Sequence, residues 1–182
     1  GLGRMLRQVT DLRVGANGAG QIDTSNSFNP DGQISLSYNY DGNSRLSSIV
    51  DDNNNQTAFA YDSLDRIVTK TDAAGKQWLF EYDRDSNVTK TTTPNGSVIT
   101  PTYDALHRAT SLSIVPGAGI LGTTQCTFNY DGASRLTSAI DNNGGTIDES
   151  STFVYDSLSR PLEQSQNGQI VSSNFSGDSK RL

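Results

Sequence analysis

The chain has 182 residues, of which 33% are hydrophobic and 17 are glycine, and it carries a formal net charge of −6 with a pI near 4.6. That apolar share is below what a thick globular core needs, so much of any sheet surface must face water. Acidic and basic residues are scattered, which argues against nucleic acid or an anionic membrane as partner, and no apolar run approaches the ~18 residues of a bilayer span.

From the N-terminus, Gly1-Leu2-Gly3-Arg4-Met5 has no signal-peptide pattern. Gly3-Arg4-Met5 resembles the end of a repeat connection, 41 residues before the matching position at Arg45, and a degenerate unit with a turn at Asn29-Pro30-Asp31-Gly32 is expected to fill that gap. A periodic series then begins with the pair Tyr40-Asp41. It recurs at Tyr61-Asp62, Tyr82-Asp83, Tyr103-Asp104, Tyr130-Asp131 and Tyr155-Asp156, with spacings of 21, 21, 21, 27 and 25 residues. Phe175 through Leu182 resembles the start of a seventh unit. The expected organisation is therefore one repeat segment over 1–182: degenerate repeats over 1–39, regular ones over 40–174 and the start of another over 175–182. Both ends fall inside the pattern, so a piece of a longer protein is expected.

Other positions keep the same phase. Five residues after the tyrosine stand Arg45, Arg66, Arg108, Arg135 and Arg160, with Asn87 as the exception. Fourteen residues after it come Gly75, Gly96, Gly117 and Gly144, with Asn54 in the first unit; these residue types tolerate positive φ, so a turn is expected there. Aromatic residues two positions before the tyrosine, as in Trp78-Leu79-Phe80-Glu81-Tyr82, give the alternation of a half-buried strand. Each unit then reads as a strand ending at Tyr, a tight Asp-x-x-x-Arg connection, a second strand and a Gly or Asn turn. The array is all-β: antiparallel hairpins of about 21 residues joined edge to edge in one twisted sheet. The two longer spacings are expected to lengthen one turn and leave strand pairing intact.

Tyr40-Asp41-Gly42-Asn43-Ser44-Arg45-Leu46 and Tyr130-Asp131-Gly132-Ala133-Ser134-Arg135-Leu136, with the downstream glycine, resemble the YD repeat of the rearrangement-hotspot (RHS) family. That family includes bacterial polymorphic toxins, shell components of insecticidal toxin complexes and teneurins. The resemblance implies a strip of β-sheet that spirals into a hollow shell, often around a toxic polypeptide, in a secreted or surface-exposed parent. It also implies that the partners are the neighbouring repeats and an enclosed polypeptide. The self-cleaving core region found after the repeats in bacterial members has no counterpart in this sequence.

Candidate chemistry is sparse. Repeated Asp/Arg pairs such as Asp62 with Arg66 and Asp156 with Arg160 suit turn formation and local pairing rather than catalysis, since every unit repeats them. No catalytic residue, cofactor site or metal site is expected. Trp78 is the best candidate for stacking on a sugar, which makes a glycan-binding or adhesion module the alternative reading, although its period-two placement favours the sheet interior. Asp51-Asp52-Asn53-Asn54-Asn55 and Asp141-Asn142-Asn143-Gly144-Gly145 lack the ligand spacing of a calcium loop and read as turns. His107, the single histidine, is expected in an exposed connection, and Cys126, the single cysteine, in a buried strand position.

Overall fold

The structure, a computed structural model, describes residues 4–11, 32–143 and 146–173, leaving aside the side chains of 143 and 146–148. Its strands are β1 (Arg7–Asp11), β2 (Gln33–Tyr40), β3 (Leu46–Asp51), β4 (Gln56–Tyr61), β5 (Ile67–Thr71), β6 (Gln77–Tyr82) and β7 (Val88–Thr92). They continue with β8 (Val98–Tyr103), β9 (Ala109–Val115), β10 (Gln125–Tyr130), β11 (Leu136–Asn143), β12 (Thr146–Tyr155), β13 (Pro161–Gln166) and β14 (Gln169–Ser172). No helix occurs among the described residues. Within β1 to β6 and within β7 to β14 the hydrogen-bonded strand order is the chain order, and these pairings are antiparallel, as the hairpin repeat requires.

The chain divides into two compact units, 1–80 and 81–182, with the boundary inside β6. In the first, β1 to β6 pair successively; in the second, β7 to β14 do the same. Among the described residues of each unit, a strand packs only on its sheet neighbours. Among the described residues no hydrophobic side chain is fully buried, and the buried polar ones are Ser48 and Ser97. The low apolar content thus has a structural counterpart. Period two still sorts the faces: in β6, Trp78, Phe80 and Tyr82 are half-buried and alternate with exposed Gln77, Leu79 and Glu81.

In the regular units up to β8, both ends of a hairpin use the same turn. At the Tyr-Asp end, Ser44 N–H donates to the Asp41 carbonyl at 3.0 Å and Asp41 N–H to the Arg45 carbonyl at 2.9 Å. At the glycine end, Gly75 N–H donates to the Asp72 carbonyl and Asp72 N–H to the Lys76 carbonyl, both at 2.9 Å. This is a three-residue loop: a type I turn closed by a residue at positive φ. Gly75 (φ 74°), Gly96 (φ 81°) and Asn54 (φ 61°) fill that position as the sequence suggests.

Three details differ from the sequence reading. Gly117 does not sit at positive φ; that conformation moves to Gly119 and Gly122 in the longer β9–β10 connection. Gly117 is needed for another reason, because a Cβ there would collide with the Asn95 carbonyl oxygen, while its N–H donates to Ser97 Oγ at 2.9 Å. The 25-residue spacing lengthens strands rather than a turn. β11 and β12 run to 8 and 10 residues and absorb the extra length with a register shift between Asp141 and Asn142. Extending a paired ladder satisfies backbone groups that a longer loop would leave to water.

The third difference concerns the N-terminal gap. β1 pairs directly with β2, from Arg7↔Ser37 to Asp11↔Gln33, so no described strand of a degenerate unit lies between them. The expected turn residues Asn29, Pro30 and Asp31, the expected further unit over 175–182 and the glycine position Gly144 lie outside the described residues.

Candidate functional site

The chemistry-bearing side chains gather at the Tyr-Asp turns. In each, the aspartate is the organising group. Asp41 Oδ1 accepts the backbone N–H of Asn43 and of Arg45, both at 2.9 Å, while its Oδ2 accepts Arg45 Nε at 2.7 Å. Asp62, Asp104, Asp131 and Asp156 repeat the arrangement with Arg66, Arg108, Arg135 and Arg160. The arginine backbone N–H, opposed by partial desolvation and helped by the guanidinium, holds the carboxyls of Asp41, Asp62, Asp131 and Asp156 below their usual range. At Asp104 the Arg108 side chain is the leading cause. These carboxylates are charged and committed to their turns.

The arginines also reach forward into the next turn. Arg45 Nη1 donates to the Asp62 carbonyl at 3.1 Å and to Asp65 Oδ1 at 2.8 Å; Arg135 Nη1 donates to the Asp156 carbonyl at 2.7 Å. Arg108 Nη1 meets Ser134 Oγ at 3.1 Å and the Asp131 carbonyl at 3.5 Å, the limit of a hydrogen bond. Three guanidinium carbons lie over the next tyrosine ring: Arg45 over Tyr61 at 4.8 Å, Arg108 over Tyr130 at 4.6 Å and Arg135 over Tyr155 at 4.9 Å. The tyrosine hydroxyl then donates backward to the residue after the arginine slot of the preceding unit. Tyr61 bonds the Leu46 carbonyl at 2.8 Å, Tyr103 that of Val88 at 3.0 Å, Tyr130 that of Ala109 at 2.9 Å and Tyr155 that of Leu136 at 3.0 Å. Arg4 and Met5 play these parts for Tyr40, with the guanidinium at 5.0 Å and the carbonyl at 2.9 Å, so they fill the connection slot that the sequence suggested.

Tyr82 ends β6 and Asp83 opens the one turn without an arginine. There Asn87 Nδ2 donates to Asp83 Oδ2 at 2.8 Å, and this amide is the leading cause of a lowered Asp83 pKa. The exposed His107 places Nδ1 3.1 Å from Asn87 Oδ1.

The other candidates have local roles. Trp78 is half-buried, with Lys70 Nζ 5.0 Å from its ring centroid, so a cation covers one ring face. Asp51 spends its carboxylate on the N–H groups of Asn53 and Asn55 and on the Asn55 amide. Asp141 lies within β11, not in a turn; its Oδ2 accepts Thr123 Oγ1 at 2.6 Å. Cys126 is half-buried, and burial, then the charge of Asp141, pushes its thiol pKa up, which disfavours the reactive thiolate. Among the described residues no group of three or more His, Cys, Asp or Glu is placed to hold a metal ion.

Sequence reasoning missed two backbone features. The residue before each arginine slot has positive φ although it is never glycine: Ser44, Asp65, Ser86, His107, Ser134 and Ser159. Its side chain explains the choice, since Asp65, Ser134 and Ser159 accept the preceding unit's arginine, a contact glycine cannot make. The ladder also slips by one residue just before Tyr40, Tyr61, Tyr103, Tyr130 and Tyr155, leaving a β-bulge. The Asn167-Gly168 turn between β13 and β14, with both residues at positive φ, was not singled out in the sequence, although an Asn-Gly dipeptide is the signal of such a turn.

A family model described as RHS Repeat matches residues 40–77, 61–98 and 82–117, and the geometry those residues share continues through Tyr155 and Arg160. Residues 40–117 are repeats of the RHS family. The fold of these repeats matches solved structures. The crystal structure of TcdB2-TccC3 without its hypervariable C-terminal region aligns at a TM-score of 0.67 and 14% identity over 89% of this chain. TcdB2-TccC3-Cdc42 aligns at 0.66 and 14% over 87%, and the Photorhabdus luminescens Tc holotoxin pore at 0.64 and 15% over 87%. The chain spans 8% of the length of each of these chains. No curated protein matches the sequence.

Proposed function

We propose that these RHS repeats form part of the wall of a β-shell that encloses or displays another polypeptide, in a secreted or surface-exposed parent protein. The observation that carries this reading is the forward clasp: Arg45, Arg108 and Arg135 each grip the next turn, so these repeats are tied to their neighbours. Among the described residues no hydrophobic side chain is fully buried, and such a sheet gains stability by extension. The role is mechanical rather than catalytic, because the repeated carboxylates are spent on their turns. The fold likeness to TcdB2-TccC3 supports the wall, and an enclosed toxin polypeptide is the occupant that the family resemblance implies.

The test is the sequence and structure of the parent protein. Many further Tyr-Asp units in phase on both sides of this segment, and an electron cryomicroscopy map with a second polypeptide against the sheet, are expected. A parent without further repeats overturns the reading.

A further inference from the structure

The single departure from the arginine ladder, at Asn87, leaves one Tyr-Asp junction over which no described residue places a guanidinium. At the clasps of Arg45, Arg108 and Arg135, three groups of one turn converge on the preceding arginine: the tyrosine ring face, the Asp carbonyl and the side chain before the next arginine slot. Tyr103, Asp104 and His107 are the same three positions, and the residue that should serve them is Asn87. Asn87 ends in a neutral amide held by Asp83 Oδ2 and facing His107 Nδ1. Among the described residues no cation lies over the Tyr103 ring, whereas Tyr61, Tyr130 and Tyr155 each have one. The Asp104 carbonyl accepts His107 N–H at 3.0 Å and receives no guanidinium, unlike the carbonyls of Asp62 and Asp156.

The charge around this position suits a cation. The Asp104 carboxylate is neutralised within its own turn by Arg108. Asp83 Oδ2 accepts the neutral amide of Asn87, and the nearby His107 also acts on this carboxylate. Burial, and after it the charge of Asp83, raises the Tyr103 phenol pKa, so an anionic field reaches the ring. An electron-rich ring face, a carbonyl and that field together favour a planar cation.

We propose that the junction of Tyr103, Asp104 and His107 is a binding site for a guanidinium group from outside this chain, occupying the position that arginine takes in the other clasps. The site does not depend on the shell reading. A guanidinium can come from an arginine side chain of another polypeptide or from a free small molecule.

The experiment uses the 182-residue chain with labelled aromatic rings, observed by NMR during titration with N-ethylguanidinium chloride against sodium chloride of equal ionic strength. A saturable shift at the Tyr103 ring, absent at Tyr130 and Tyr155, is expected. In N87R, which restores the internal arginine, that shift should disappear while the circular dichroism spectrum is kept. A parallel titration with a blocked Gly-Arg-Gly peptide and its citrulline counterpart separates the sources. Tighter binding of the arginine peptide than of N-ethylguanidinium identifies a polypeptide ligand, and equal or weaker binding a small one. No saturable shift, equal shifts at all three tyrosines, or binding undiminished in a folded N87R overturns the proposal.

Discussion

Arg45 binds Asp62 across two turns: its Nη1 donates to the Asp62 carbonyl at 3.1 Å while its Nε holds the Asp41 carboxylate of its own turn at 2.7 Å. One side chain thus closes its own loop and fastens the next. Because this link joins neighbours about one repeat apart, the stability of each hairpin is shared with the one that follows it.

The tyrosine hydroxyl is the second fastening, and Tyr130→Phe isolates it. Losing the bond to the Ala109 carbonyl, while the ring under Arg108 remains, should destabilise the chain by about 1 kcal/mol. Urea unfolding followed by circular dichroism measures it, with an unchanged slope showing that the unfolded surface is the same.

The two kinds of glycine should respond differently to alanine. At Gly75, with φ at 74°, alanine meets no atom and costs only the left-handed conformation, about 1 kcal/mol. At Gly117 the new Cβ would collide with the Asn95 carbonyl, and about 1–3 kcal/mol or more is expected. Equal losses in thermal melts of the two variants would contradict the close-approach role of Gly117.

Acid should loosen the repeats through their turns. The folded-state pKa values of Asp41, Asp62, Asp83, Asp104, Asp131 and Asp156 are lowered from 3.8, so their contribution is complete above the unfolded value and is lost as pH falls through the folded ones. Stability should therefore decline below about pH 4. Asp131→Asn should lower stability at neutral pH and flatten that decline, read from urea midpoints across the acid range; an unaltered pH profile would remove this aspartate from the account.

β14 is the last strand of the described order, and its four residues are exposed, with Ile170 at 61% and Val171 at 70%. Such an edge templates pairing with another strand. Concentration-dependent association is expected in sedimentation velocity, and Val171→Lys should reduce it; a monomer at every concentration would show that the edge does not pair.

Strand positions, the Tyr-Asp turns and the glycine turns at Gly75 and Gly96 were legible in the sequence, because period two and turn chemistry are local properties that each unit states again. The approach of Asn95 to Gly117 was not, nor the lengthening of β11 and β12, since both depend on which backbone lies alongside. The forward reach of Arg45 to Asp62 was hidden for the same reason: the residues are 17 apart and meet only once the strands between them have paired. The sequence by itself determined that a hairpin recurs and where it turns. Only the tertiary structure decided that the arginines link one hairpin to the next, and that Asn87 breaks that chain of links, because a side chain's partner across a sheet is set by register.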